Sequence, residues 1–111
     1  MNTTANHFGT PIILGKYTTV FSNEILFFEG DINYTWIHYS ISLNKKVLAK
    51  TLSEIEGKIQ SENFVRVSRK HLVNRKFIVE IGRDFVLLSD DTVLPVSRRR
   101  RRGLFGDLSV N

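Results

Sequence analysis

Apolar side chains recur along most of this chain with a period of two, or in short runs between turn residues. β-Branched and aromatic residues are frequent in these segments, and both features are typical of β-strands. The pattern predicts strands at 12–14, 17–21, 25–29, 34–42, 46–48, 64–67, 77–81, 85–88 and 92–96. The tripeptides Gly82-Arg83-Asp84 and Ser89-Asp90-Asp91 are polar connections of hairpin length. The strands should therefore form a meander of short antiparallel hairpins.

One segment departs from the strand pattern. Three apolar residues there recur at the spacing of a single stripe on an α-helix: Leu52, Ile55 and Ile59. Thr51 followed by Glu54 matches a capping box that would open this helix. We expect one short amphipathic helix over about residues 51–61, packed on the sheet because it is marginal alone. The predicted fold class is mainly β, with small antiparallel sheets and this helix.

Charge distinguishes one part of a chain that is otherwise typical of a globular domain. The 111 residues, 41% of them hydrophobic, allow one domain with a modest core. The formal net charge is +5. Residues 1–65 carry five bases and six acids, whereas residues 66–102 carry eleven bases and four acids. This asymmetry predicts one basic face suited to a polyanionic partner.

Several classes of function find no support in the sequence. The absence of cysteine excludes disulfides, thiolate zinc sites and cysteine nucleophiles. His7, His38 and His71 have no acid or nucleophile at a telling spacing, so we expect no catalysis, metal or cofactor. The start, Met1 to Phe8, lacks a secretory pattern, and no apolar run approaches the roughly 20 residues of a membrane helix. A cytoplasmic protein without a membrane or small-molecule partner is expected.

A basic motif runs from Phe64 to Asn74, directly after the predicted helix. Its cations, Arg66, Arg69 and Lys70, lie between the apolar residues of a predicted strand and a second apolar pair, Leu72 and Val73. Such anchors hold a loop in place. Arginine suits bidentate contact with guanine and with phosphate. A solvated basic turn explains the same residues.

A second basic stretch follows Pro95-Val96-Ser97 and consists of five arginines at 98–102. Adjacent like charges repel, and binding to phosphates relieves that repulsion. Three apolar residues follow and could anchor a short C-terminal helix: Leu104, Phe105 and Leu108. A disordered basic tail or, in a eukaryote, a nuclear localisation signal is the alternative.

A third stretch is the apolar strand 25–29 followed by a polar loop with Asn33, Tyr34 and Thr35. Together the three stretches resemble the LytTR family of bacterial DNA-binding domains, over about residues 10–105. That family has an apolar strand ending in an acid, an Asn-Tyr loop, an amphipathic helix, a motif close to Phe-x-Arg-x-His-Arg-Ser-aromatic-apolar-Val-Asn, and Pro-Val-Ser-Arg-Arg. The matches are Ile25–Glu29, Asn33-Tyr34, Phe64–Asn74 and Pro95–Arg99. Ser68 replaces the usual His, and Lys70-His71 replaces Ser and the aromatic, which alters the base preference expected of the central loop.

The resemblance implies an elongated β fold whose loops enter successive major grooves of DNA. Carried over by position, it implies base contacts from Tyr34, Thr35, Arg69 and Arg99. It implies phosphate contacts from Arg66, Lys70, Ser97, Arg98, Arg100 and Arg102. Asn74 is instead expected to form a turn and satisfy buried backbone groups. Residues 1–10 would be an N-terminal extension and 11–108 the DNA-binding domain.

The sequence thus predicts a transcription regulator that binds double-stranded DNA, with two copies at paired direct repeats and no stable dimer in solution. An RNA or single-strand binding module is the alternative, because Tyr34, Trp36 and Tyr39 could stack bases. Trp36 and Tyr39 point to opposite sides of one strand, however, so some of these rings must serve the core. A domain whose basic face meets an acidic protein is a third reading.

Overall fold

Ten strands and two helices make up the part of the chain that the structure, a computed structural model, describes: residues 9–59 and 63–108. The strands are β1 (Pro11–Gly15), β2 (Thr18–Phe21), β3 (Ile25–Asp31), β4 (Tyr34–Tyr39), β5 (Lys45–Leu48), β6 (Phe64–Arg66), β7 (His71–Asn74), β8 (Ile78–Ile81), β9 (Phe85–Leu88) and β10 (Val93–Pro95). The helices are α1 (Leu52–Lys58) and α2 (Arg98–Leu108). The mainly β fold class and both predicted helices are confirmed. Within these residues no helix is long and apolar enough to cross a membrane.

The strands pair antiparallel in three sheets. One is the hairpin β1–β2, the central sheet has the order β5-β4-β3-β7-β6, and the third has the order β10-β9-β8. The predicted connections 82–84 and 89–91 join β8 to β9 and β9 to β10. The sequence pattern does not predict β7. Leu72 and Val73, expected to anchor a loop, instead form a buried strand between β3 and β6.

The central sheet carries an apolar core on each of its faces. The first core joins it to the β1–β2 hairpin and to α1, and the second joins it to the three-stranded sheet and to α2. Strand β3 serves both, with Ile25 and Phe28 in the first core and Leu26 and Phe27 in the second. A register irregularity between Ile25 and Phe27 allows Leu26 and Phe27 to face the same side. Burial on both faces explains why the sequence of β3 is a continuous apolar run.

Helix α1 forms as the sequence predicts, and it packs beside one end of β3. The Thr51 hydroxyl accepts from the Glu54 amide at 3.1 Å, and the Thr51 amide donates to the Glu54 carboxylate at 2.8 Å. Hydrogen bonding of the Glu54 carboxylate, first to the Thr51 amide and then to the Thr51 side chain, holds the pKa of Glu54 below its usual value. A side chain at Gly30 would meet the Leu52 Cβ at 3.1 Å, so glycine permits the close approach. The helix ends at Lys58, and the predicted extension through 60–61 lies outside the described residues.

Asn74, at the end of β7, ties distant parts of the chain together. Its side-chain amide donates to the carbonyls of Ser22 and Ile25, both at 2.9 Å. Its side-chain oxygen accepts from the Lys76 amide at 3.1 Å, which opens the 3-10 turn Arg75–Phe77. Asn74 is buried, so no water can replace these bonds. The predicted role of Asn74 in satisfying buried backbone groups is confirmed.

We expect Asn74→Ala to lower the free energy of unfolding by about 2 to 4 kcal/mol, because two buried carbonyls lose their donor. Denaturant titration of the folded protein would measure the loss. Asn44→Ala is the matched control, since Asn44 is exposed and its replacement should cost less than about 0.5 kcal/mol. Equal stability of the two variants would contradict the role assigned to Asn74.

Candidate nucleic-acid interface

Three segments that are distant in sequence meet around one open cleft of about 740 Å³. They are the turn between β3 and β4, the loop between β6 and β7, and the junction between β10 and α2. The cleft is lined by Gly30, Asp31, Ile32, Thr51, Leu52, Ser53, Arg66, Ser68, Arg69, Lys70, His71, Pro95 and Ser97. Of the residues predicted to contact DNA, the cleft brings together Arg66, Arg69, Lys70 and Ser97.

Backbone hydrogen bonds join the β6–β7 loop to both neighbouring segments. The Gly30 amide donates to the Lys70 carbonyl at 2.8 Å, which ties the loop to the end of β3. The Ser97 amide donates to the Val67 carbonyl at 2.8 Å, which ties it to the start of α2. These bonds join main-chain atoms, so they link the three segments directly and not through their exposed side chains. The exposed side chains of the loop are thus presented from a fixed base.

Arg66 braces this loop from within. Its guanidinium donates to the carbonyls of Ser68 at 2.7 Å and Arg69 at 2.8 Å, and it pairs with the Glu56 carboxylate at 2.5 Å. The side chain is 9% exposed. Three of the five N–H groups of Arg66 already serve the loop and helix α1, so the structure gives this side chain a bracing role, while its predicted contact with phosphate stays a prediction. Arg66 positions the loop.

Ser68 holds the turn of the same loop. Its hydroxyl oxygen accepts from the amides of Lys70 and His71, both at 3.2 Å, and lies 3.3 Å from Nδ1 of His71. A hydroxyl that bonds to the backbone two and three residues ahead favours a tight turn. The turn leaves Arg69 and Lys70 exposed at its tip. Ser68, which departs from the family pattern, is thus used to shape the loop.

The two predicted contact residues of the β3–β4 turn differ in their exposure. Tyr34 is 52% exposed and begins β4. Thr35 is fully buried, and its hydroxyl donates to the Lys50 carbonyl at 2.8 Å. The prediction of a base contact from Thr35 is corrected, because its side chain faces the interior. Tyr34 is the accessible residue of the pair.

Ile32, which the sequence analysis did not single out, occupies the tip of this turn. Its φ is 57°, in the left-handed region that β-branched residues rarely adopt. Such a conformation costs roughly 1 to 3 kcal/mol. Ile32 is also 87% exposed and lines the cleft beside Arg69 and Lys70. The signal in the sequence was an isoleucine between Asp31 and Asn33, at a position where a two-residue turn favours glycine, asparagine or aspartate.

The arginine run forms the first turns of α2, so the third predicted contact segment is a helix and not a loop. The Ser97 hydroxyl accepts from the Arg100 amide at 3.2 Å and thereby caps the helix. Leu104 is buried in the second core and anchors the helix as predicted. The side chains of Phe105 and Leu108 lie outside the described residues.

The cations of α2 project to two sides of the helix. Arg99 and Arg100 line a depression with Glu56, Arg66 and Arg75, next to the main cleft because Arg66 lines both. Arg98 and Arg101 line a second depression with Arg83 and Asp84. Arg102 is exposed. The positive end of the helix dipole adds to the repulsion among these cations. Phosphate groups are the natural counterions for such a surface.

A carboxylate lies between two histidines behind the central loop. Nε2 of His38 lies 2.8 Å from one Glu29 oxygen, and Nε2 of His71 lies 3.9 Å from the other. The ring of His38 stacks on Phe27 with 4.1 Å between centroids. Burial lowers the pKa of His71, an effect opposed by Glu29 and reinforced by Lys70 and His38. Neutral His71 therefore supports the loop from below through Ser68.

This fold and site define a β-rich domain that presents a basic surface made of three segments. The family model for the LytTr DNA-binding domain matches residues 15–108, and the chain belongs to that family. Among solved structures, it is similar to the LytTr DNA-binding domain of a methyl-accepting/DNA response regulator from Bacillus cereus. The TM-score is 0.74 at 17% identity, covering 91% of this chain and 96% of that one. No curated protein matches the chain.

Removal of the Arg66 brace should loosen the cleft. In Arg66→Ala we expect the amides of Gly30 and Ser97 to exchange with solvent roughly ten-fold faster, because charge-assisted bonds worth about 1.5 to 3 kcal/mol are lost. Hydrogen exchange followed by NMR measures both sites. Arg69→Ala, in the same loop but exposed, should leave both rates unchanged. Unchanged rates in Arg66→Ala would show that the brace is not needed.

The buried His71 should make stability depend on pH. Its folded pKa lies below the ordinary 6.5, so between the two values the unfolded chain binds more protons at this residue. Stability is therefore expected to fall as the pH drops below about 6.5. Denaturant titrations at pH 7.5 and 5.5 should show a smaller loss in His71→Gln than in the unchanged protein. An equal loss in both would assign the pH dependence to other groups.

Proposed function

We propose that this domain binds double-stranded DNA in a sequence-specific manner as part of a bacterial transcription regulator, with the three segments of the cleft facing the major groove. The observation that carries the proposal is the backbone-linked meeting of these segments, which holds Arg69 and Lys70 at the surface beside the start of α2. A major groove about 12 Å wide accepts a helix or a two-stranded ribbon. A hairpin tip and a helix end are both available here.

In this proposal each segment supplies one base-reading side chain: Tyr34 from the β3–β4 turn, Arg69 from the central loop and Arg99 from α2. Phosphate contacts come from Lys70, Arg98, Arg100 and Arg102, which set the register without reading sequence. Ser97 contributes indirectly, because capping α2 orients the arginines. Charge attracts any duplex, so selectivity must come from the three base-reading positions.

The aromatic side chains favour a duplex over single-stranded nucleic acid. Stacking of successive bases needs a row of open rings. Here Nζ of Lys45 lies 5.4 Å from the ring centroid of Trp36, and Tyr39 packs against the first core. Burial, reinforced by Glu24, raises the pKa of Tyr39. Tyr34 alone among the three is exposed.

We further propose that residues 11–108 act as the DNA-binding domain, with 1–10 as an extension. Paired direct repeats would each take one copy, forming a homodimer on DNA only. A protein that binds chromosomal DNA in a bacterium is located in the cytoplasm, so we propose that location for this chain. We propose no catalytic activity for it. A selection of bound sequences from random duplexes would define the site.

Sequence selectivity should depend on Arg69 and not on Arg102. We expect Arg69→Ala to lose about 1 to 3 kcal/mol of preference for the selected duplex over a random one, the value of a bidentate base contact. Arg102→Ala should weaken both duplexes equally, because a phosphate contact carries no sequence information. Fluorescence anisotropy with both duplexes and a single strand at matched salt measures each preference.

Salt provides a further check on the same titrations. With about six phosphates neutralised, the logarithm of affinity should fall with the logarithm of salt at a slope near −5. Equal affinity for the selected duplex, the random duplex and the single strand would overturn the proposal. An Arg69→Ala variant with unchanged selectivity would remove that residue from the base-reading set.

A further inference from the structure

The tip of the β3–β4 turn combines strain with exposed apolar surface. Ile32 has a φ of 57° and is 87% exposed. Neither property contributes to folding, because the branched side chain disfavours this backbone conformation and gains little burial from it. Asn33, the next residue in the same turn, has the side chain that tolerates a positive φ most readily. An outlier of this kind at a binding surface indicates a function for the side chain.

The chemistry of the tip is unlike that of the basic segments beside it. Its sequence, Asp31-Ile32-Asn33-Tyr34, contains no lysine or arginine. Asp31 and Ile32 nonetheless line the same cleft as the exposed Arg69 and Lys70. A carboxylate and an aliphatic group are repelled by, or indifferent to, phosphate oxygens. When the neighbouring cations engage the DNA backbone, the tip is therefore suited to the edge of a base.

We propose that Ile32 recognises the C5 methyl group of a pyrimidine in the major groove. In unmodified DNA this group belongs to thymine, and it is the apolar feature that distinguishes a T·A pair there. 5-Methylcytosine presents the same methyl group. The inference rests on the proposed function, since it adds a fourth reading position to the three proposed there. It assigns to Ile32 a specificity that the cationic positions do not supply.

The test removes the thymine methyl group from the DNA and, separately, replaces the Ile32 side chain of the protein. Each thymine of the selected duplex is changed singly to deoxyuridine, which removes the methyl group and keeps the hydrogen-bonding edge. We expect one position in each bound repeat at which the change weakens binding about four-fold, the value of one buried methyl group. In Ile32→Asn that difference should vanish, whereas Ile32→Val should retain it.

Three controls make the outcome specific. Asparagine tolerates the backbone of residue 32, so Ile32→Asn should melt no lower than the unchanged protein. Ile41→Asn makes the same replacement at another exposed isoleucine and should keep the four-fold difference. At the sensitive position, a C·G pair with 5-methylcytosine should bind more tightly than one with cytosine, and only when Ile32 is present.

The results separate this inference from the proposed function. If the selected duplex is preferred over a random one but no deoxyuridine weakens binding, the contact by Ile32 is wrong and the proposed function stands. If Ile32→Asn keeps the full difference, the methyl group is read by another residue and the inference is again wrong. If no duplex is preferred, the proposed function and this inference both fail.

Discussion

Burial of both faces of strands β3 and β7 is the constraint from which the other features of this domain follow. A one-residue slip of a strand covered on two sides is strongly disfavoured, because each side chain would enter the opposite core, where its volume does not match that of the residue it replaces. Phe28 would leave the first core and Phe27 the second. The register of the central sheet is therefore fixed, and with it the place where the turns after β3 and β6 leave the sheet. The cleft is a consequence of that register.

The same constraint explains why the surface around the cleft can carry unfavourable features. Main-chain bonds from Gly30 and Ser97 to the central loop hold the three segments together, and the Arg66 guanidinium completes the loop from within. With the scaffold settled by these contacts and by the two cores, the exposed positions are free for function. A strained isoleucine at the tip of a turn and adjacent arginines at the positive end of a helix are both tolerated there.

The arrangement also divides work among residues of one chemical type. Arg66 and Arg69 are separated by two residues, yet one is 9% exposed and bonded to the loop while the other points outward. Two serines also have different roles, since Ser68 shapes a turn and Ser97 caps a helix. The number of cations along the chain predicts the sign of the charge on this surface. Which cation meets a partner depends on the acceptors that the fold places beside it.

The sequence by itself determined the features that depend on neighbours along the chain. These include the hairpins, the capped helix α1 and the apolar run at 25–28, because period, capping and burial pattern are local signals. The role of Asn74 was also correctly predicted, from its residue type and the motif around it. The order of motifs further allowed the family to be recognised.

Only the tertiary structure decided which residues face outward. Contacts from Thr35 and Arg66 were expected because their positions match those of the family, but their partners, Lys50 and Glu56, come from other elements. Strand β7 forms because it pairs with β3 on one side and β6 on the other. The pattern of its own four residues does not predict that pairing. Long-range hydrogen bonds and packing assign these roles, and they depend on how close residues come in space after folding, which a linear pattern does not record.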